Sequence, residues 1–565
     1  MAEAADAPAA ARTWTAVYPP SVPRDPAIPA INLPRMFDDA VARFPYAIAL
    51  DFEGARTTYA QLHTAIGHLA TALSRLEVRP GDRVALVLPN SPQLVTGLYA
   101  TMRIGAVAVP LNPASGADAL RVDLAATDAD VVICGADQCA AVIAAQDGST
   151  ARTILVTRLI DALPRGRRWR LAFGLRSGRR FRRELRGSLK TLPPQARWLS
   201  DVVKAAPEIA PRVDLDPSTT AVVLFSAGRS GEPRPIELTH RSLVAGAYQA
   251  AWWVPHARAG YETSLALLPM FDIYGLTLSL NTPLLLGARL VLVRSFDPAE
   301  VIGHFARSGI THFPAVPAVL RALVDRPELR PYRTSNLRAT YAVGAALPDA
   351  LWQGFERMTI STVSGGYGTS ESGLTHAVPF LGPKPSGSIG VPLPLTDAKV
   401  VDLTASRRPV RPGTVGELLV RGPQVSGRVD ADGFFATGDL VTMDEVGFTW
   451  FVGRVDDLIR VGRQRVNPVE VEAPVLALPD VARAAAVQGY SSTRAGIVKL
   501  YVEPRPGALL DIGMIREVCE KALPAGAVPG EIEIRGSLPL TGSGEVLRSA
   551  LRAPVPGRTR KETPA

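Results

Sequence analysis

Between Phe434 and Glu472 the chain reads FFATGDLVTMDEVGFTWFVGRVDDLIRVGRQRVNPVEVE, and this stretch limits what the rest can become. Val441 and Met443 alternate with polar neighbours, Asp444 to Gly447 supply a turn, and Phe448, Trp450 and Val452 form a returning strand. That is the period-two pattern of a half-buried hairpin. Gly453-Arg454-Val455-Asp456-Asp457 interrupts it with one glycine and three charges, before a new apolar alternation through Leu458, Ile459 and Val461. The spacing brings Asp439, before the hairpin, close to Arg454, after it. Such a pair suits a ligand with hydroxyls and phosphate, since the carboxylate accepts from a diol and the guanidinium donates to phosphate. It suits equally a surface hairpin closed by an ordinary ion pair.

The order of residues in this stretch resembles the signature of the acyl-adenylate-forming superfamily, which includes acyl-CoA ligases, luciferases and peptide-synthetase adenylation domains. The resemblance implies that Thr437-Gly438-Asp439 holds a ribose. It also implies that Asp456 is the hinge between a large N-terminal domain and a small C-terminal one, and that ATP, Mg²⁺, CoA and a carboxylic acid are the ligands. The expected fold class is α/β: a large N-terminal domain of α/β subdomains over residues 31–454, and a small mobile C-terminal α+β domain over 455–553. Residues 1–30, rich in alanine and proline, and 554–565 are expected to be disordered tails.

The chain has 565 residues and 47% hydrophobic content, ample for a core of several subdomains. Cys134, Cys139 and Cys519 offer neither a paired framework nor metal spacing, which suits a reducing cytoplasm. The opening MAEAADAPAAARTW has no basic segment followed by an apolar run, so no signal peptide is expected. Met36 to Phe44 and Tyr59 to Leu76 read as helices, while Ala47 to Asp51 and Val84 to Leu88 read as strands. The alternation continues through Ala106 to Pro110, Leu120 to Ala126, Val131 to Ile133 and Ala140 to Ala145. It implies a parallel sheet with helical crossovers.

The net charge of +9 is unevenly placed: from Arg165 to Lys190, ten arginines and one lysine face Glu184 alone. Trp169, Phe173 and Phe181 are interleaved, giving a basic amphipathic segment suited to an anionic bilayer. A solvated basic insertion fits the same residues. No aromatic stacking motif accompanies the charge, so nucleic acid is not an expected partner. An insertion here resembles that of bacterial long-chain fatty-acid–CoA ligases. It implies a long acyl chain and a cytoplasmic protein placed at the inner face of the membrane.

Val222 to His240 runs from an apolar strand into a Ser/Gly-rich loop, with Thr239 as a helix N-cap. Such a loop wraps phosphate with backbone N–H groups. The resemblance assigns phosphate contacts to Ser226, Gly228, Ser230, Gly231 and Arg234. Three positions depart from the pattern: Arg229 replaces a threonine, Arg234 replaces a lysine but keeps its charge, and Pro235 replaces a glycine. Val343 to Pro348 follows a strand and resembles the loop that passes the adenine, which assigns Gly344, Ala345 and Ala346 to the nucleotide.

In Gly365 to Glu371 (GGYGTSE), Gly366 and Gly368 let the backbone approach a nucleotide, and Tyr367 offers a face for adenine. Ser370 offers a hydroxyl for phosphate, and Glu371 is a hard oxygen ligand suited to Mg²⁺. A glycine-rich turn with an incidental tyrosine is the other reading. Leu267 to Gly275 resembles a segment in which a histidine sits by the acyl carboxylate; here it is Asp272, which would repel a carboxylate unless protonated or paired. Ile310 to Leu320 resembles the lining of the acyl pocket, with Phe313 and Val316 as contacts, and reads equally well as core. In the C-terminal domain Arg463 stands where most relatives have glycine. Glu545 stands where the family has the lysine that bridges carboxylate and α-phosphate. These departures leave two readings: an AMP-forming acid–CoA ligase, with Ser370, Glu371, Arg454 and the Glu545 position at the reaction centre, or an impaired relative that binds nucleotide and acts as a partner or regulator.

Overall fold

The computed structural model describes residues 12–146, 153–164, 192–209, 212–226, 234–404, 406–462, 464–491, 496–540 and 546–552. The basic segment 165–190, the loop 227–233 and positions 463 and 541–545 lie outside the described residues.

Local signals start the first helices. Thr58 and Gln61 form a reciprocal capping box at the start of Tyr59–Arg75, and Asn32 caps Leu33–Arg43 through Arg35 N. Both devices satisfy backbone N–H groups that the first turn leaves without partners. Apolar strands then alternate with helices and assemble a seven-stranded sheet. Its order is Ala196–Trp198, Thr153–Thr157, Val131–Gly135, Arg83–Val87, Val107–Leu111, Thr220–Ser226 and Arg234–Thr239. All pairings are parallel except the last, a hairpin that places Ser226 opposite Arg234. Pro235 therefore sits on an edge strand, where its missing N–H need not break a central ladder.

The second sheet has thirteen strands. Its parallel part includes Thr263–Ala266, His312–Ala315, Ala339–Val343 and Thr362–Thr369, and an antiparallel extension carries Phe435–Met443 and Thr449–Arg454. The last strand of this sheet ends at Arg454, and a short 3₁₀ turn follows over Val455–Asp457. A separate apolar cluster, built on Ile459, Val471, Val498, Leu500 and Ile515, holds together a three-stranded sheet and its helices. Among the described residues, no helix is long and apolar enough to cross a membrane.

The expectation of a disordered tail fails over residues 12–30. Thr13–Val17 forms a 3₁₀ turn, and Trp14, Tyr18 and Val22 are buried. Arg12 Nε donates to Asp397 Oδ1 at 2.8 Å, and Tyr18 Oη donates to the Pro392 carbonyl at 2.6 Å. Trp14 lies over the turn of the signature hairpin at Gly447, whose φ is +105°; a Cβ there would fall 2.7 Å from the Trp14 Cβ. Alanine and proline dominate the segment's composition, but three apolar anchors spaced four residues apart decide its fate. Burial of such side chains contributes about 1.5–3 kcal/mol each towards docking the strap.

Candidate functional site

The signature hairpin forms as its spacing implies. Asp444 Oδ1 accepts from the N–H groups of Val446, Gly447 and Phe448, which closes the turn. In the resulting register Asp439 lies directly opposite Arg454. Asp439 is 6% exposed, and its Oδ1 is 3.5 Å from Arg454 Nε. Its other oxygen accepts from Tyr367 Oη at 2.6 Å. Burial, then the Asp439 charge, hold the Tyr367 phenol far above its ordinary pKa, so it donates at any physiological pH. Tyr367 therefore orients the carboxylate as well as presenting a ring. That ring meets His376 edge-on, with centroids 5.8 Å apart.

The glycines beside Tyr367 have a different reason from the one expected. A Cβ on Gly368 would sit 1.8 Å from the Gly373 carbonyl oxygen, and one on Gly366 would sit 2.9 Å from Leu374 and 3.0 Å from Val343. Close packing against neighbouring strands requires them, whatever approaches from outside. Ser370 and Glu371 occupy the turn that follows. Thr369 and Ser372 exchange hydrogen bonds across that turn. The Glu371 carbonyl accepts from Ser426 N at 2.8 Å and Gly427 N at 3.1 Å, which fixes the backbone behind the half-buried carboxylate. Among the described residues no group of three or more His, Cys, Asp or Glu side chains could hold a metal. A lone carboxylate fits Mg²⁺ that arrives with phosphate oxygens, because that ion commonly takes only one or two protein carboxylates.

Gly344 follows the strand Ala339–Val343 with φ +84°; it and Ala346 are exposed, and Ala345 is half-buried. A Cβ on Gly344 would lie 3.6 Å from Val316 and 4.0 Å from the Tyr274 ring. Tyr274 Oη in turn donates to the Gly368 carbonyl at 2.7 Å. Val316, Gly344, Tyr274 and Gly368 thus meet in one place, and Tyr274 is a residue that sequence reasoning passed over. Its signal was present, an aromatic two positions after Asp272, but only the fold shows what it bridges.

Two of the acid-pocket expectations change. Phe313 is fully buried and packs edge-on against Phe305 in the core beneath the sheet, so it lines no opening. Phe313, Pro314 and Ala315 are all buried along His312–Ala315, a strand inside the parallel part of the sheet. Asp272 turns back on its own backbone: Oδ1 accepts from Tyr274 N at 2.8 Å, at the start of the helical segment Gly275–Asn281. Burial raises its pKa, and the Tyr274 and Gly275 N–H groups oppose that shift.

Near the hinge, Arg552 Nη2 donates to the Asp456 carbonyl at 2.8 Å and to Asp457 Oδ1 at 2.6 Å. Arg548 Nη2 grips both oxygens of Glu472, at 2.9 and 2.7 Å. Arg234 is exposed at the start of its strand. Gly228, Arg229, Ser230, Gly231, Arg463 and Glu545 fall outside the described residues, as does the side chain of Ser226.

With this geometry in place, comparison with known proteins decides the family. Residues 37–428 match the model of the AMP-binding enzyme family, and residues 470–545 match that of the AMP-binding enzyme C-terminal domain. The chain belongs to the AMP-binding enzymes. It is 30% identical over 554 residues to a long-chain-fatty-acid–CoA ligase of Bacillus subtilis (strain 168), covering 96% of this chain and 97% of that protein. It is 29% identical over 526 residues to a feruloyl-CoA synthase of Amycolatopsis sp, covering 90% of this chain and 96% of that one. The crystal structure of ATP-bound MatB from Rhodopseudomonas palustris matches the fold with a TM-score of 0.78 at 23% identity, covering 92% of this chain and 98% of that one. Within the family, the α/β architecture with its large and small domains is the expected one.

Proposed function

We propose that this AMP-binding enzyme is an AMP-forming acid–CoA ligase whose substrate is a fatty acid, with a long acyl chain favoured. The observation that carries the reading is the Asp439 carboxylate, buried between Tyr367 and Arg454 and oriented for a ribose diol. A carboxylate oxygen of the acid attacks the α-phosphorus of ATP and pyrophosphate leaves; the CoA thiolate then attacks the acyl carbonyl and AMP leaves. Gly344 to Ala346 pass the adenine, and Asp439 accepts from the ribose. Arg454 and Ser370 serve the phosphates, and Glu371 would hold Mg²⁺, which supplies charge neutralisation at the departing pyrophosphate. Asp272, its carboxyl already engaged with backbone N–H groups, stands beside the acid with its charge partly offset. Turning about Asp456 would exchange the two half-reactions. Substrates that reside in membranes give the basic segment 165–190 a role at an anionic inner leaflet.

A second reading rests on five departures from the family pattern, Arg229, Pro235, Asp272, Arg463 and Glu545, of which the last weighs most. Glu545 stands where a lysine would neutralise charge gathering at the α-phosphate, and loss of such a donor costs ~10²–10³ in rate. On this reading the chain binds nucleotide or acyl-adenylate as a partner or regulator. Pyrophosphate release with a panel of fatty and aromatic acids separates the two. Brisk release with a long-chain acid supports the ligase. Release that appears only in Glu545→Lys supports the impaired relative, and release favouring aromatic acids over fatty ones would overturn the substrate class.

A further inference from the structure

We propose that Arg12 and Tyr18 are positioning residues that hold the ribose-binding Asp439 against Tyr367; this rests on the nucleotide reading given above. Tyr367 belongs to the strand Thr362–Thr369 and Asp439 to Phe435–Met443, and three strands stand between them in the order of the sheet. Neighbouring strands lie about 4.8 Å apart, so four steps across a flat sheet would separate the two by roughly 19 Å. Their hydrogen bond of 2.6 Å therefore requires the sheet to curl. Midway lies the strand Ser388–Pro392, which joins the parallel side to the antiparallel extension. That joint is slender. On one side it pairs Pro392 with His376 and Val391 with Ala377; on the other, Ser388 with Trp450 and Gly390 with Thr449, with a shift of register between them.

The strap crosses this joint. Tyr18 Oη donates to the Pro392 carbonyl at 2.6 Å, and its ring meets Trp253 edge-on with centroids 5.3 Å apart. Trp253 is fixed to the parallel side, since its Nε1 donates to the Val378 carbonyl at 3.2 Å. Trp14 packs on Gly447 in the hairpin turn, and Arg12 Nε donates to Asp397 Oδ1 at 2.8 Å. Asp397 opens the strand Asp397–Val401 of the extension, and its other oxygen accepts from Arg421 Nε and Nη2 at 3.1 and 2.9 Å. One buried cluster takes in Trp14, Tyr18, Trp253, Phe380 and Phe448, from the strap and from both sides of the joint. Gln249 ties the extension a second time, donating to Gln424 at 3.1 Å, so loosening the strap relaxes the curl without undoing the fold. A nucleotide held by its adenine at the Gly344 loop and by its ribose at Asp439 bridges the same two sides, and its ribose contact registers that relaxation.

Calorimetry on the full chain with Mg·ATP and with Mg·2′,3′-dideoxy-ATP, which lacks the diol, tests this. The wild type should prefer Mg·ATP. Arg12→Met combined with Tyr18→Phe keeps the buried rings and removes both polar ties. The pair should weaken Mg·ATP about tenfold, the effect of one lost hydrogen bond to a charged group, and leave the dideoxy Kd unchanged. Tyr18→Phe alone should shift Mg·ATP the same way by a smaller factor, and it decides the matter should the double variant fail to fold. Both nucleotides weakening in parallel would mean that the strap only supports the fold, and would overturn the inference, as would Mg·ATP binding unchanged. A wild type that binds neither nucleotide, or binds the two equally, refutes the ribose reading beneath it, a distinguishable result.

Discussion

Replacing Arg548 with methionine removes one half of a buried ion pair and exposes how the small domain is held. Glu472 is 4% exposed, and besides Arg548 it accepts from Ala486 N at 2.7 Å. Methionine keeps most of the arginine's apolar stem but leaves the carboxylate with a backbone donor and no opposite charge in contact. Breaking such a pair from one side costs ~3–5 kcal/mol. The Arg548 side chain is 26% exposed, so water screens one flank and the lower end applies. A loss of ~3 kcal/mol corresponds to a roughly 100-fold fall in hydrogen-exchange protection along the strand Val481–Tyr490.

The pH dependence gives the sign. Burial raises the folded-state pKa of Glu472 despite the opposing pull of Arg548. A raised carboxyl pKa means that the folded state holds its proton more tightly, so the contribution is present at low pH and is lost as pH rises from the unfolded value through the folded one. Without Arg548 the folded value climbs further, so the deficit of the variant should shrink as pH falls from about 7 towards about 5. Glu472→Gln combined with Arg548→Met should recover most of the stability. A deficit below about 1 kcal/mol at neutral pH, or one that grows on acidification, would refute the reasoning.

Three further outcomes are expected. Asp439→Ala should abolish AMP binding in calorimetry, while Tyr367→Phe, which removes one hydrogen bond to a charged group, should weaken it about tenfold or more. His240 and His376, pushed by burial down to about 4 and about 3, resist protonation in the fold. Their contribution is complete above the unfolded value near ~6.5 and is lost as pH falls towards the folded values, at up to ~1.4 kcal/mol per unit for each histidine; a thermal-melt series indifferent to pH between 7 and 4 would contradict this. The segment 165–190 should carry binding to anionic vesicles that weakens as salt rises, and equal binding to neutral vesicles would remove its electrostatic basis.

What the sequence disclosed was mostly local. The hairpin, the Thr239 cap and the helix Tyr59–Arg75 depend on neighbours within a few positions, and period and capping chemistry expose them. The Asp439–Arg454 pairing follows because a hairpin's turn fixes its register. Contacts between distant segments were hidden. Nothing near Phe313 told core from pocket, since both demand an apolar residue on a short strand. Gly366 and Gly368 looked like ligand glycines because nucleotide approach and strand packing ask for the same missing Cβ. Tyr274 matters through a partner 94 residues away in the chain, and no pattern in one sequence reports that distance.

The strap that ends on Trp14 and Tyr18 also ties the molecule to the order of its own synthesis. Thr13 meets its partner Val446 across 433 residues of chain. At the usual ~5–20 residues per second of translation, that is a wait of roughly 20–90 s during which two large aromatic side chains have no cleft to enter. They leave the ribosome well before their partners and dock only after them. The strap is then complete only after the hairpin at Trp450 has emerged. Trypsin would report the moment directly. In chains stalled short of Pro392 the bond after Arg24 should be cut readily; in chains released beyond Trp450 it should be protected. Early protection would place the docking of the strap ahead of its partners, against the contacts seen here.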